Sequence, residues 1–331
     1  MKIKIYGAGT WGTALAELLV QNGHDVTLWH YNIEFIKYIK KSLIHPNLDS
    51  HRLSKKIDFT SQIDLSHEID FVVIAIPSQA IRDLLAKINF DEVSPIVVSV
   101  SKGLENHTGK TISQVISENP NIKYNKICVL YGPSHAEEVL KKIPTTIVAS
   151  SPNNQVAVKI QEAFSNQYFR VYRNPDTIGV ELGGSIKNVI SLAAGICKGV
   201  GFGDNTIAAL LVRGSMELAS FGVKLGAKNK TFFGLSGMGD LIVTATSNYS
   251  RNRQVGEWIG EGVKLEQISN KMNMVVEGLE TTKAIMVLAK KNNIEMPICS
   301  EVYKVIFEGK NALVAMNNLM TRELTLEYEN N

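Results

Sequence analysis

The chain has 331 residues, of which 44% are hydrophobic and 20% are charged, and its formal net charge is +3. At roughly 150 residues per domain this length predicts two domains, and the composition is that of a globular protein with a buried core. The small net charge and the absence of polybasic runs argue against binding to nucleic acid or to an anionic membrane surface. The three cysteines lie far apart, which excludes a disulfide framework and a zinc site and is typical of the cytoplasm.

Neither a signal peptide nor a membrane span is predicted. The sequence runs from Met1 directly into a strand-like segment, which leaves no room for a signal sequence. The longest apolar stretch, residues 180–200, carries Glu181, Lys187 and Lys198. Charges that deep in a bilayer would be costly, so we expect this stretch to be a buried helix of a soluble domain.

Short β-rich segments alternate with amphipathic segments from Ile3 to about Arg173. The predicted strands are residues 3–6, 25–29, 71–76, 96–100, 126–131 and 145–149. The helical segments between them include residues 11–21, 33–40, 81–87 and 111–117. This alternation predicts an α/β domain of the Rossmann type, with a doubly wound parallel sheet that is covered by helices on both faces.

The pattern changes after Asn174-Pro175-Asp176. From Val180 onward the periodicity is helical, with glycine-rich interruptions at residues 199–204 and 234–239. We therefore predict one domain over residues 1–175 and an all-α domain over residues 176–331. The last residues, 328–331, are expected to be frayed.

A glycine-rich motif, Gly7-Ala8-Gly9-Thr10-Trp11-Gly12, joins the first predicted strand to the first predicted helix. In such motifs the first glycine allows a tight turn, the second lets the backbone approach a pyrophosphate, and the third lets the helix pack on the strand. The start of the helix offers N–H groups and a positive dipole end to the phosphates. The motif therefore predicts a dinucleotide site in the first domain, formed by Gly7, Gly9, Thr10, Trp11 and Gly12.

The end of the second predicted strand bears on the choice of cofactor. NAD sites often have an acidic residue here for the ribose hydroxyl, and NADP sites often have an arginine for the additional phosphate. The sequence has Trp29-His30-Tyr31-Asn32 and hence neither. Tyr31 and Asn32 are candidate cofactor contacts, and the choice between NAD and NADP stays open.

Two further candidates follow predicted strands, at the edge of the sheet where doubly wound folds bind their ligands. Lys102 could bind an anion, although an ordinary surface lysine is about equally consistent with its position. His135 could act as an acid or base, but a loop histidine more often has no such role.

The second domain carries a lysine in an apolar helix. Burial lowers the pKa of a lysine and suits it to general acid–base catalysis, unless the side chain extends to the helix surface. Lys187 and its neighbour Asn188 are in this position. Asp240 and Thr244 would share one face of a later helix, although Asp240 could equally be a helix N-cap.

A possible phosphate site precedes a predicted helix over residues 254–259. Ser250 could cap this helix, and Arg251 and Asn252 follow it directly. A helix start that carries an arginine is suited to binding phosphate.

Seven short blocks contain most of these candidates. They are Gly7-Ala8-Gly9-Thr10-Trp11-Gly12-Thr13-Ala14, Ser101-Lys102-Gly103, Gly132-Pro133-Ser134, Val180-Glu181-Leu182-Gly183-Gly184-Ser185-Ile186-Lys187-Asn188, Gly239-Asp240-Leu241, Ser250-Arg251-Asn252 and Val276-Glu277-Gly278. In this order, from residue 3 to about Met320, they resemble the bacterial-type NAD(P)-dependent glycerol-3-phosphate dehydrogenases. The resemblance implies a Rossmann domain followed by a helical domain similar to that of 6-phosphogluconate dehydrogenase. It also implies reversible hydride transfer between sn-glycerol 3-phosphate and dihydroxyacetone phosphate, which supplies glycerophospholipid synthesis.

The resemblance also implies roles for individual residues. Lys187 would exchange a proton with the substrate oxygen. The implied substrate contacts are Lys102, Gly132, Ser134, Lys187, Asp240, Ser250, Arg251 and Asn252. We add Asn188, which follows Lys187, and Thr244, four residues after Asp240. The implied cofactor contacts are Thr10, Trp11, Lys102, Ala136, Arg251, Val275 and Glu277. Tyr31 and Asn32 stand where the family commonly has His-Arg, which weakens any inference of a preference for NADP. No metal is required.

Two alternatives stay open at this point. The chain could be a related two-domain dehydrogenase for a small hydroxy acid or ketopantoate, whose substrates carry a carboxylate instead of a phosphate. It could also be a dinucleotide sensor without catalysis, although a sensor would not need Lys187, Asn188 or Asp240. The expected partner is a small-molecule substrate, and a homodimer is one of the oligomeric states that the sequence leaves open.

Overall fold

A computed structural model describes residues 1–48, 51–91, 93–271 and 276–327. Its strands are β1 (Lys2–Tyr6), β2 (Asp25–Trp29), β3 (Asp58–Thr60), β4 (Phe71–Ile74), β5 (Ile96–Ser99), β6 (Ile127–Tyr131), β7 (Thr145–Ser150) and β8 (Phe169–Asn174). They form one sheet in the order β3-β2-β1-β4-β5-β6-β7-β8. The predicted Rossmann-type architecture is thereby confirmed, and β3 and β8 are strands that the sequence analysis missed.

The prediction of a wholly parallel sheet is wrong at one pair. Strand β7 runs antiparallel to β6, whereas the other neighbouring strands are parallel. The helix between β6 and β7, Ala136–Leu140, has five residues. Such a helix rises only about 7.5 Å, whereas five residues of strand span about 17 Å. It is therefore too short to return the chain along the whole length of β6, and β7 itself makes the return.

Helices cover both faces of the sheet. They are α1 (Thr10–Gln21), α2 (Ile33–Ser42), α3 (Ile81–Leu85), α4 (Ile112–Ser117), α5 (Ala136–Leu140) and α6 (Asn154–Phe164). Separate hydrophobic clusters lie under them, one around Leu15 and Leu28 and another around Tyr6 and Val72. Because both faces are covered, central strands such as β4 and β6 are buried at every position and read as continuous apolar runs.

From Thr177 onward the described chain is helical. Its helices are α7 (Thr177–Val200), α8 (Asp204–Lys224), α9 (Asn229–Phe232), α10 (Asp240–Thr246), α11 (Arg251–Gly260), α12 (Leu265–Lys271), α13 (Glu277–Lys291), α14 (Pro297–Phe307) and α15 (Ala312–Met320). By length and composition α7 and α8 could each cross a membrane, but the apolar window of α7 is 100% buried and that of α8 is 44% buried. Helix α7 is therefore the core helix that the sequence predicted. Residues 328–331, expected to fray, lie outside the described residues.

Helices α7 and α11 cross with their backbones almost in contact. The crossing is made by Gly195 and Gly199 on α7 and by Gly256 and Gly260 on α11. A Cβ atom added at Gly195 would lie 2.1 Å from the Arg253 carbonyl oxygen. One added at Gly256 would lie 2.1 Å from the Leu192 carbonyl oxygen. Only glycine permits this separation, and the crossing sets the position of the first turn of α11 beside α7.

We expect Gly195→Ala to lower the free energy of unfolding by about 3 kcal/mol, because the added methyl group meets rigid backbone of α11. Gly203→Ala is the control, since no described atom lies within 4 Å of a Cβ there and its φ of −84° suits any residue. Its effect should stay below about 1 kcal/mol. Urea unfolding followed by circular dichroism measures both. Equal midpoints for the two variants would contradict the tight crossing.

Candidate active site

A cavity of about 860 Å³ lies between the carboxyl edge of the sheet and the helical part of the chain. The predicted site residues that line this recess are Gly7, Gly9, Thr10, Trp11, Tyr31, Lys102, Ser134, Lys187, Asn188, Asp240, Thr244, Ser250, Arg251, Asn252 and Glu277. Candidates from both halves of the sequence are thus brought together in one place. Gly12, Asn32, Gly132 and Ala136 are not among the described lining residues. Val275 lies outside the described residues.

The glycine motif forms one end of the recess. Gly7 has a φ of +123°, and a Cβ atom there would lie 2.3 Å from the Ala75 carbonyl oxygen. At Gly12 a Cβ atom would lie 1.9 Å from the Gly7 carbonyl oxygen, so this glycine serves the packing of α1 on β1. At Gly9 no described atom lies within 4 Å of a Cβ. The backbone at Gly9 is therefore open to close approach by a ligand, at the start of a helix that attracts phosphate.

A buried carboxylate between two lysines forms another part of the wall. Asp240 is 2% exposed, and its Oδ1 lies 2.9 Å from the Lys187 Nζ. The Lys102 Nζ contacts the other oxygen, Oδ2, and also donates to the Gly132 carbonyl at 3.0 Å. The Lys187 Nζ donates in addition to the Thr244 Oγ1 at 2.6 Å. Asp240 is therefore the centre of a charge cluster and not a helix N-cap, which is the position of Gly239.

These contacts govern the charge of Lys187. Burial lowers the pKa of Lys187 to about 8; Asp240 opposes that shift, while Lys102 and Arg251 add to it. Burial by itself would raise the pKa of Asp240, but the two lysines hold it below its ordinary value. Lys187 consequently has access to both the ammonium and the amine form near neutral pH, as a general acid or base requires.

The first turn of α11 forms a third part of the wall. The Ser250 side chain caps the helix by accepting from the Arg253 N–H at 3.2 Å, so α11 begins three residues earlier than the sequence predicted. The Asn252 side chain donates to the Asn188 Oδ1 and accepts from the Gly278 N–H, each at 3.0 Å. Burial lowers the pKa of Arg251, an effect that Glu277 and Glu137 oppose. A cationic side chain thus stands at a helix start inside the recess.

Tyr31 and Asn32, which follow β2 and are candidate cofactor contacts, have different surroundings. Tyr31 is 77% exposed, lines the recess, and stacks its ring on His30 with 4.5 Å between centroids. The Asn32 side chain caps α2 by accepting from the backbone N–H groups of Glu34 and Phe35, at 2.9 and 3.2 Å. Tyr31 is therefore the side chain of the pair that is open to a ligand.

His135 lines the recess, although the sequence gave little reason to select it. Burial lowers its pKa to about 4, and the charges of Lys187 and Lys102 act in the same direction. Its Nε2 is buried without a hydrogen-bond partner in the described part of the chain. The ring is consequently neutral at physiological pH and does not serve there as a proton donor in its charged form. In the sequence, only its position directly after Gly132-Pro133-Ser134 indicated that His135 could lie at the site.

Glu277, on α13, lines the recess and binds the segment that follows β4. Its carboxylate accepts from the Ser78 backbone N–H at 3.2 Å and from the Ser78 hydroxyl at 2.7 Å. Burial raises the pKa of Glu277, and these hydrogen bonds and Arg251 oppose that rise. Among the described residues no group of three or more His, Cys, Asp and Glu side chains could hold a metal ion.

The sequence matches family models for both parts of one enzyme. Residues 2–157 match the N-terminus of NAD-dependent glycerol-3-phosphate dehydrogenase, and residues 176–317 match its C-terminus. This chain belongs to that family. The sequence resemblance is thereby confirmed.

Individual relatives agree over nearly the whole chain. A glycerol-3-phosphate dehydrogenase (NAD(P)+) from Geobacillus thermodenitrificans is 46% identical, covering 97% of this chain and 94% of the relative. One from Chlorobium phaeobacteroides is 47% identical, covering 98% of each chain. The crystal structure of glycerol-3-phosphate dehydrogenase from Coxiella burnetii superimposes with a TM-score of 0.91 at 32% identity, covering 97% of this chain and 99% of that one.

Proposed function

We propose that this chain is an NAD(P)-dependent oxidoreductase that interconverts sn-glycerol 3-phosphate and dihydroxyacetone phosphate. The observation that carries the proposal is the contact of Lys187 with Asp240 inside a recess that also has a glycine loop and an arginine at a helix start. Membership of the family and the names of the relatives support it. A spectrophotometric assay with dihydroxyacetone phosphate, run with NADH and then with NADPH, tests it directly.

The proposal extends to the organisation and setting of the protein. We assign residues 1–175 to the dinucleotide domain and residues 176–331 to the substrate domain. The enzyme would act in the cytoplasm, supply glycerol 3-phosphate for glycerophospholipid synthesis, and need no nucleic acid; a homodimer is among the assemblies open to it. The alternatives, a hydroxy-acid or ketopantoate dehydrogenase and a sensor, find less support because the relatives bear the glycerol-3-phosphate name.

The residues at the glycine end of the recess fit a nicotinamide dinucleotide. Gly7, Gly9 and the start of α1 would hold its pyrophosphate, with Gly12 providing the close packing behind them. Tyr31, exposed at the recess, would be a further contact. We carry the other contacts over from the family; they are Thr10, Trp11, Lys102, Ala136, Arg251, Val275 and Glu277. When bound, the reduced cofactor would supply the hydride for reduction of the substrate carbonyl.

Lys187 would supply the proton. In the direction of reduction its ammonium group donates a proton to the oxygen that becomes the new hydroxyl, and in the direction of oxidation its amine accepts that proton. Asp240 and Thr244 hold the Nζ in place at 2.9 and 2.6 Å. The Lys102 charge on the other side of Asp240 would stabilise the developing negative oxygen. No further acid is required.

The substrate phosphate would bind at the start of α11. Arg251 offers a planar fork for two phosphate oxygens, and the helix dipole adds attraction. Ser250 and Asn252 hold this turn in position through their contacts with Arg253, Asn188 and Gly278. Ser134 and Gly132 would complete the substrate site from the sheet side.

We expect Lys187→Ala to lower kcat by about 100- to 10,000-fold, because the substrate oxygen loses its proton source. The affinity for NADH, measured by fluorescence titration, should be nearly unchanged. Lys198→Ala is a matched control on the same helix, since Lys198 is half exposed and pairs only with Glu257 in the described ion pairs. A Lys187→Ala enzyme with more than about a tenth of wild-type turnover would disprove the assignment.

We expect Arg251→Ala to lower kcat/KM for dihydroxyacetone phosphate by at least about 100-fold, or about 2.7 kcal/mol. Dihydroxyacetone without a phosphate should be affected far less, since it never made the contact. Arg251→Lys should recover only part of the loss, because an ammonium group lacks the planar fork. Equal fractional losses with both substrates would mean that Arg251 serves the cofactor or the fold and that Lys102 is the next candidate for the phosphate.

We expect the wild type to use NADH and NADPH with less than about a thousandfold preference, since His30-Tyr31-Asn32, directly after β2, contains neither an acid nor an arginine. Tyr31→Arg should improve kcat/KM for NADPH about fivefold, or about 1 kcal/mol, by adding a cation at an exposed position. Asn32→Arg is the contrasting variant. It removes the cap of α2 and should cost about 1 kcal/mol of stability. A stronger gain from Asn32→Arg than from Tyr31→Arg would show that the segment has been misassigned.

A further inference from the structure

The loop between β5 and α4 is attached to α7 at both of its ends. At the first end, the Gly103 N–H donates to the Ser185 Oγ at 3.1 Å. At the second end, the Ser113 N–H donates to the Glu181 Oε1 at 2.8 Å and the Ser113 hydroxyl donates to Oε2. The two anchors on α7 are one helical turn apart, and the Ser185 hydroxyl also donates to the Glu181 carbonyl at 2.7 Å. The ends of the loop are thus fastened to one face of one helix.

The loop also contributes to the core of the helical part. Leu104 is fully buried and belongs to the same hydrophobic cluster as Leu182 on α7 and Ile285 on α13. An antiparallel bridge between Leu104 and Thr111 closes the loop at its base. The segment is therefore docked on the helices, although its neighbours in sequence belong to the sheet.

Lys102 lies between two residues whose positions are fixed by hydrogen bonds, Ser101 and Gly103. On one side, the Ser101 hydroxyl donates to the Ile76 carbonyl at 2.6 Å, and the Tyr131 hydroxyl donates to the Ser101 carbonyl. On the other side is Gly103 with its bond to Ser185. The backbone of Lys102 consequently has little freedom, and its ammonium group is directed to Asp240 and the Gly132 carbonyl.

Glu181 is an unusual residue for this task because it is 0% exposed. Burial raises its pKa, and hydrogen bonds from Ser113, Thr111 and the Ile112 backbone oppose that rise. A buried carboxylate is costly unless hydrogen bonds of this kind compensate it. The Glu181 side chain makes its contacts with the start of α4. This is the C-terminal end of the loop whose N-terminal end carries Lys102.

We propose that Glu181 is a positioning residue that, with Ser185, clamps residues 101–113 onto α7 and so fixes the Lys102 ammonium beside Asp240 and Lys187. This proposal rests on the function proposed above for the recess. Glu181 itself lies outside the residues that line the recess. It acts through the loop.

The clamp also affects the pKa of Lys187 through electrostatic interactions. The charged and titratable groups that face the Lys187 Nζ are Asp240 on α10, Lys102 on the clamped loop, Arg251 on α11, and His135 before α5. Of these, Lys102 stands on the clamped loop, next to Gly103. If the loop is released, a positive charge moves away and the pKa of Lys187 rises from about 8, because the ammonium form is no longer opposed as strongly.

The test compares Glu181→Gln with a matched control, Glu217→Gln. Glu217 on α8 is also buried, and its carboxylate accepts from the backbone N–H groups of Ile298 and Cys299 at the start of α14, at 2.8 and 2.9 Å. Neither Glu217 nor its partners line the recess. Both variants should lower the melting temperature. Only Glu181→Gln should alter the surroundings of Lys187.

The first readout does not require substrate. The full-length chain is acylated competitively with an amine-reactive reagent between pH 6 and 11, and the labelling of Lys187 and Lys102 is followed by mass spectrometry. In Glu181→Gln the pKa of Lys187 should rise by about half a unit and Lys102 should label faster, whereas Glu217→Gln should match the wild type. Should Glu181→Gln fail to fold, Ser185→Ala removes the Gly103 anchor, next to Lys102, and should give a shift of the same sign.

The second readout is catalysis. In Glu181→Gln, kcat/KM for dihydroxyacetone phosphate should fall about tenfold and the alkaline limb of kcat should move to higher pH, whereas Glu217→Gln should stay within about twofold of the wild type. Identical pKa values of Lys187 and identical activity losses in the two variants would overturn the clamp and leave Glu181 as a helix cap only. A wild type without activity on dihydroxyacetone phosphate would instead overturn the proposed function, and the labelling would still decide the clamp.

Discussion

The approach of α7 to α11 is the constraint on which the rest of the site depends. Glycines on both helices remove the side chains that would hold the backbones apart, and Asn188 and Asn252 are joined across the crossing. The same helix, α7, carries Lys187 and the two anchors of the Lys102 loop. One helix therefore sets the relative positions of the groups proposed for proton transfer, for phosphate binding and for stabilising negative charge.

The charge cluster around Asp240 shows why a fold retains an arrangement that is costly in isolation. A single buried ammonium or carboxylate would be strongly disfavoured, but here each charge has an opposite partner and hydrogen bonds from the surrounding chain. The balance leaves Lys187 with a pKa near 8, since burial and Lys102 act against Asp240. The reactivity of one amine is thus a property of three residues on separate elements.

The sequence predicted the central strands, the glycine loop and α7 because each has a local signal: an apolar run, a fixed spacing, or a long helical period. It missed β3, which has three residues, and β8, where exposed Arg170 and Tyr172 alternate with buried Phe169 and Val171 at the sheet edge. It could not give the pKa of Lys187, because Asp240 and Lys102 approach it only in the folded chain. The two uses of an asparagine at position 32, as a cap or as a cofactor contact, also look identical in sequence.

The bond between Glu277 and Ser78 has a consequence for how ligands meet this protein. It joins the sheet side and the helical side of the recess through buried hydrogen bonds, and Leu104 joins them again through the core. Most of the ordering of the two walls therefore takes place when the chain folds, before any ligand arrives. The conformational entropy of assembling the site is lost during folding. Binding of a ligand therefore requires little further loss of entropy to bring the reacting groups together.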